Sequence, residues 1–155
     1  EPIRNRTFRS HAWNFATKRV ELAKDSTAPV VEFANQYTLP SDCLRVLKIH
    51  TGTTDSIKST IDYAVEGRKI KTDEGTVFLV YIALITDPNE YDTYFNEALS
   101  AALAADLAYA ITNNATLSNN YQAIADERLR EARFVDATEN SLGTVESNEF
   151  TDARL

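Results

Sequence analysis

Asp87-Pro88-Asn89-Glu90-Tyr91-Asp92-Thr93-Tyr94-Phe95-Asn96-Glu97-Ala98-Leu99-Ser100-Ala101-Ala102-Leu103-Ala104-Ala105-Asp106-Leu107-Ala108-Tyr109-Ala110-Ile111-Thr112 is the stretch in which the chain changes period, and the fold class follows from that change. Asp87 is suited to cap a helix, and Pro88 fits the first helical position, where a backbone N–H has no intrahelical partner anyway. Glu90 stands three residues after the cap, as in a capping box. Tyr91, Phe95, Ala98, Leu99, Ala102, Leu103 and the run Ala105 to Ala110 then recur at helical spacing to about Thr112. The many alanines let another backbone approach closely, so this helix is expected at the centre of a bundle. Asn113-Asn114 marks its end, because Asn tolerates the left-handed conformation.

A second helix is expected from about Leu117 to Thr138, with Leu117, Tyr121, Ile124, Arg128 or Leu129, Ala132 and Val135 on one stripe. Its other face carries Asp126, Glu127, Arg130, Glu131 and Arg133, with Asp126 and Arg130 spaced to pair at i,i+4. The connection is short, which makes the two helices antiparallel. Residues 140–155 turn polar, with Leu142, Val145, Phe150 and Leu155 isolated among them, and read as a C-terminal arm: either a disordered end or a segment that orders on a partner.

Upstream of Asp87 the period is that of strands. Trp13, Phe15 and Thr17 alternate with Asn14, Ala16 and Lys18, and Val20 and Leu22 continue the set after a shift of phase, which suggests a strand with a bulge. A second strand is expected from Val30 to Leu39, opened by Pro29 and closed by Pro40. Leu44 to Ile49 reads as a mostly buried strand, and residues 51–60 as a polar loop. Ile61 to Ile85 reads as a meander whose turns fall at Glu66-Gly67 and Asp73-Glu74-Gly75, where glycine supplies positive φ. Its third strand, Val77 to Ile85, is apolar almost throughout and so belongs in the middle of a sheet. Ile3 and Phe8 among Arg4, Arg6 and Arg9 read as an amphipathic helix over about residues 1–12. The fold class is therefore α+β: an antiparallel helix bundle (about 1–12, 88–113 and 117–139) with an inserted compact antiparallel β-sheet unit (about 13–85). Residues 1–139 make one domain.

Composition narrows the function. The chain of 155 residues has a net charge of −7, with its front basic and its back acidic. That balance argues against a nucleic-acid reader, which needs a basic stripe aimed at phosphates. Cys43 is the one cysteine, expected as a small buried thiol, and no apolar run is long enough to cross a bilayer. His11, His50 and Cys43 lack metal-ligand spacing, the four glycines cannot build a phosphate cradle, and no Gly-x-Ser-x-Gly occurs. No catalytic, metal or cofactor residue is expected. His11 beside Trp13, and Trp13 and Phe15 themselves, read as packing residues. Asp126, Glu127, Glu131 and Asp136 include enough acids for a glycosidase pair, but they fall on a solvated helical stripe. The candidate assembly-interface residues are Arg4, Arg6, Arg9, Leu142, Val145, Phe150 and Leu155.

Three further words occur in a fixed order: His11-Ala12-Trp13-Asn14-Phe15-Ala16-Thr17-Lys18-Arg19-Val20-Glu21-Leu22-Ala23, then Tyr37-Thr38-Leu39-Pro40-Ser41-Asp42-Cys43-Leu44-Arg45-Val46-Leu47, then Val65-Glu66-Gly67-Arg68-Lys69-Ile70-Lys71-Thr72-Asp73. With the Ala-rich helix after Asp87-Pro88, residues 8–139 resemble the tail tubular protein A family, the head-to-tail adaptors (connectors) of short-tailed bacteriophages, or podoviruses. The resemblance implies a structural virion protein and no enzyme. Such a protein assembles in the bacterial host cytoplasm as a ring of about twelve copies and sits in the neck of the virion tail. Its implied partners are its own copies, the portal protein above, the tail nozzle protein below and tail fibres, and DNA passes through the ring at genome ejection without sequence-specific binding. No membrane is implied. Family members usually carry a further helical segment ahead of the Trp-Asn-Phe word; this chain has no methionine and is read as starting after processing or truncation. The alternative reading is a tail-associated peptidoglycan hydrolase.

Overall fold

The computed structural model describes residues 1–52 and 61–139. The polar loop expected at residues 51–60 falls mostly outside them, as does the arm at 140–155.

The chain is α+β. Helix α1 (Pro2–Arg9) is followed by a 3₁₀ turn at Asn14–Ala16, then β1 (Thr17–Leu22), β2 (Asn35–Thr38), β3 (Cys43–His50), β4 (Tyr63–Glu66), β5 (Lys69–Thr72) and β6 (Val77–Ala83). A second 3₁₀ turn at Pro88–Glu90 leads to α2 (Thr93–Thr112) and α3 (Ala115–Thr138). The expected single sheet unit is two antiparallel three-stranded sheets, ordered β1-β6-β3 and β2-β5-β4. The meander therefore breaks after β5: β4 and β5 stay together, and β6 crosses to the other sheet. The physical reason lies in β6, which buries Val77, Leu79, Tyr81, Ile82 and Ala83. A strand so apolar needs a neighbour on each edge, and it finds β1 and β3. The chain is held where it leaves the second sheet, because Asn35 Nδ2 donates to the carbonyls of Asp73 and Glu74, each at 3.1 Å, and the Tyr37 hydroxyl donates to Glu74 at 2.8 Å.

The hairpin between β4 and β5 has the turn that Gly67 announced. Gly67 (φ 53°) and Arg68 (φ 63°) both take positive φ, the pattern of a two-residue turn that matches strand twist. Arg68 also locks the two sheets together, its Nη2 donating to the Pro40 carbonyl at 2.6 Å while its own carbonyl accepts from Leu39 N–H at 3.0 Å. Gly75 does not take positive φ, so that glycine was not demanded by its turn.

Three further expectations are corrected. Trp13 to Ala16 is not strand: Ala16 N–H bonds back to the Trp13 carbonyl at 3.2 Å, and the Thr17 hydroxyl caps the same oxygen at 2.7 Å. The apparent phase shift was this 3₁₀ turn. The second strand begins only at Asn35, and Val30 and Val31 lie in an exposed loop. Strand β3 buries only Cys43 and Ile49, because it is an edge strand whose pairing with β6 shifts register twice.

The start of the helical half has two caps in series. Asp87 accepts from Asn89 N–H at 2.9 Å but closes only the 3₁₀ turn, and Asp92 then caps α2 by accepting from Tyr94 N–H at 2.8 Å and Phe95 N–H at 3.1 Å. The expected capping box at Glu90 therefore lies outside the α-helix. At the far end Asn113 sits in the left-handed region at φ 51° as expected, and Asn114 caps α3 through Leu117 N–H at 3.1 Å. The core is centred on Phe95, whose ring meets Phe8 at 4.7 Å, Trp13 and Phe15 at 5.0 Å and Tyr91 at 5.3 Å. Trp13 is fully buried with its indole N–H donated to the Thr7 carbonyl at 3.0 Å, which fixes the end of α1 against the bundle.

Candidate assembly surfaces

The acids considered for catalysis separate by burial. Asp136 is not on a solvated stripe: it is buried, and it accepts from Asn14 N–H at 2.9 Å through Oδ1 and meets His11 Nε2 at 3.0 Å through Oδ2. His11 in turn lies edge-on to Trp13 at 4.9 Å. The neighbouring Ser10 hydroxyl donates to the Thr7 carbonyl at 2.7 Å, so it is engaged as a helix-end bond. This cluster ties the last turn of α3 to the exit of α1. Asp126, Glu127 and Glu131 are exposed. Arg130 reaches the Asp126 carbonyl at 3.2 Å, not its carboxylate, which instead accepts from Gln122 Nε2 at 3.0 Å. Arg128 pairs with Glu131 at 2.9 Å and, across the hairpin, with Glu97 at 3.9 Å.

Of the three front arginines, Arg9 is used internally. Its guanidinium donates to the Leu44 carbonyl, and Arg45 donates to the Arg9 carbonyl at 3.1 Å, so the end of α1 is fastened to β3. Arg4 is half-buried, with its Nε enclosed and without a hydrogen-bond partner. Arg6 turns to a different place, a cleft between α1, α2 and α3. The three do not form one basic cluster. Leu142, Val145, Phe150 and Leu155 lie outside the described residues.

The cleft holds about 290 Å³ and is floored by Ala98, Ala102, Ala125 and Leu129. Arg133, which the sequence placed on the solvated face of α3, also lines it, and its buried Nε has no hydrogen-bond partner. Its place follows from spacing, since Arg133 lies one turn from Leu129 on the side that faces α1.

The largest unsatisfied surface is on the α2–α3 hairpin. Helix α2 carries apolar residues on every side, with Glu97 and Asp106 its two charges, but only Phe95, Ala98, Ala105 and Ala108 are buried. A helix with that pattern is ordinarily covered on every side. The Arg128–Glu97 pair marks one edge of the hairpin. Ile111 is 75% exposed, Leu107 49% and Ile124 45%. The expected inward stripe of α3 is corrected here, because Tyr121 and Ile124 flank the contact line of Ala125, Leu129, Ala132 and Asp136 instead of lying on it. From Ala98 to Ala125 the sequence contains a single charged residue, Asp106.

Ionisable groups elsewhere are structural. Burial pushes the Cys43 thiol upward and makes it a poor nucleophile. Burial, with Asp42 beside it, raises the Tyr81 hydroxyl to about 12. The hydrogen bond from Lys69 holds the Asp25 carboxyl below its usual range. Among the described residues no group of three or more His, Cys, Asp or Glu is placed to hold a metal ion, and no helix is long and apolar enough to cross a membrane. The chain matches no protein-family model and no curated protein.

Proposed function

We propose that this chain is a subunit of a head-to-tail adaptor ring of a short-tailed bacteriophage, joining the portal to the tail nozzle and forming part of the channel for DNA ejection. The observation that carries the reading is the tip of the α2–α3 hairpin, where the aliphatic side chains of Leu107, Ile111 and Ile124 stand in solvent and Asp106 is the one charge. Exposed apolar surface that is contiguous marks a site of association. The order of elements supports the same reading. Paired strands, a Gly hairpin and then a long Ala-rich helix follow one another in the order on which the resemblance rests, although the Trp-Asn-Phe word is a 3₁₀ turn and not a strand.

The mechanism is one of shape and charge. The hairpin tips stack copy against copy, which closes the wall of a channel and hides the aliphatic side chains from water. The net charge of −7 keeps that wall from holding DNA phosphates, so the genome slides past without sticking. No bond is made or broken by the protein.

The test is native mass spectrometry of this 17.3 kDa chain mixed with a portal ring of the same phage. A single-step mass increase equal to about twelve chains is expected for a closed ring. A well-folded chain that leaves the portal mass unchanged, or that clears peptidoglycan with an activity lost in Glu131→Gln or Asp126→Asn, would overturn the reading.

A further inference from the structure

We infer that the loop between β1 and β2 of one copy docks into the α1–α2–α3 cleft of a second copy, making a head-to-tail contact between unlike surfaces. The inference rests on the ring reading above and names one contact of that ring.

The loop is built as a peg on a fixed stalk. At its base Asp25 N–H donates to the Gln36 carbonyl at 2.9 Å, and the Asp25 carboxylate accepts from Lys69 Nζ at 2.7 Å and the Thr38 hydroxyl at 3.0 Å. On the returning side Ala34 N–H donates to Asp73 Oδ1 at 2.8 Å. Charge-assisted bonds of this kind hold the ends of the loop in place. The tip is shaped differently. Phe33 N–H bonds the Val31 carbonyl at 2.9 Å around Glu32, which stands at φ 71°. A turn of three residues with positive φ at its centre is rare and strained for a residue with a side chain. It presents Val30 at 98% exposure and Val31 at 66%, with the Glu32 carboxylate beside them. An apolar tip held out by a strained turn gains nothing in the isolated subunit; it gains burial in a socket.

The cleft has the complementary chemistry. Its floor is Ala98, Ala102, Ala125 and Leu129, small side chains that leave a volume of about 290 Å³ open, enough for a short aliphatic tip. Its rim carries Arg6 and Arg133. Among the described residues neither has an ion-pair or hydrogen-bond partner, and the Arg133 Nε is buried without one. The acid of the lining, Asp126, already accepts from Gln122. The occupant this selects is a pair of small aliphatic side chains followed by a carboxylate, and Val30-Val31-Glu32 is that sequence. The valines would cover the floor, while the carboxylate supplies an acceptor to a guanidinium whose buried Nε has none. Because peg and socket are different surfaces, each copy uses both, and the contact propagates until the ring closes.

The experiment uses the full chain with Val31→Asp as the peg variant and Arg6→Glu as the socket variant, both at exposed positions. Circular dichroism is the check that each is folded, and sedimentation velocity with native mass spectrometry is the readout. Wild type is expected to form higher oligomers as concentration rises. Each variant alone is expected to lose at least tenfold in self-association, and an equimolar mixture to yield dimers, since each partner keeps one competent surface. The charge exchange Glu32→Arg with Arg6→Glu is expected to recover part of what either change loses alone. Unaltered oligomers in both variants, a mixture without dimers, or a wild-type chain that stays monomeric at every concentration would overturn the contact. Portal binding reads the other proposal separately: if it persists while both variants self-associate like wild type, the adaptor reading stands and the peg-and-socket contact falls.

Discussion

The two ends of the α2–α3 hairpin are made from the same two helices, yet they are solved by opposite means. At the root Phe95 is packed by four other aromatic rings, Ala132 is buried, and Asp136 bonds His11 and Asn14. From Asp126 to Glu139 charges recur on the outer faces of α3 and keep the root soluble. At the tip the helices touch through alanines, Asp106 is the one charge, and Leu107, Ile111 and Ile124 stand in solvent. The root is a finished interior; the tip is half of one. Stability and association are thus separated along one pair of helices.

That comparison can be broken at the root first. Phe95→Ala should cost about 3–5 kcal/mol, the range for deleting a buried aromatic ring, read as a lower urea midpoint. A loss below about 1 kcal/mol would mean that the aromatic cluster does not hold the root. Asp136→Ala should cost about 1–3 kcal/mol, because it removes the buried carboxylate that accepts from the Asn14 N–H and meets His11. Urea unfolding of this variant beside Asp126→Ala, which should be near neutral, separates the anchoring acid from the solvated one.

A titration sharpens the contrast, since the sheets behind the root bury an ionisable hydroxyl and the tip buries none. The folded Tyr81 is raised to about 12 from the ordinary value of 10.0, so the folded state keeps a proton that the unfolded chain gives up. The stability tied to it is fully present below pH 10 and is lost as pH rises toward about 12. Tyr81→Phe should flatten that alkaline decline, and an unchanged slope would remove Tyr81 as its cause. The smallest effect on folding is expected at the tip: Leu107→Ser should change the stability of the monomer by no more than about 0.5 kcal/mol while weakening assembly. If Leu107→Ser instead destabilises as much as a root substitution, the tip is part of the core and the comparison fails.

How far the sequence could be read follows the range of the forces involved. Both long helices were legible, because caps and hydrophobic period act within a few residues: Asn113 stands in the left-handed region as expected, while Asn114 caps α3 at Ala115, two residues ahead of the expected start at Leu117. The start of α2 was misplaced because Asp87 and Asp92 are both competent caps, and only the docking of Tyr91, whose hydroxyl donates to the Ile85 carbonyl at 3.0 Å, selects the second. Of the candidate interface, Arg6 lies in a cleft while Arg9 is spent on β3, and nothing in their shared helix distinguishes them. Arg133 was missed because Asp126, Glu127, Arg130 and Glu131, with which the sequence grouped it, are all solvated.

By itself the sequence determined the α+β class, the two long helices, the central place of β6 and the buried thiol of Cys43. Each of these follows from composition or from spacing within one element. Only the tertiary structure decided that six strands form two sheets, that Asp136 is an internal anchor, and that Arg6 and Arg133 share a cleft. The physical reason is distance along the chain: Asp136 meets His11, and β6 meets β1, across separations that no local period encodes, and those meetings are chosen by which packing leaves the fewest buried groups without partners.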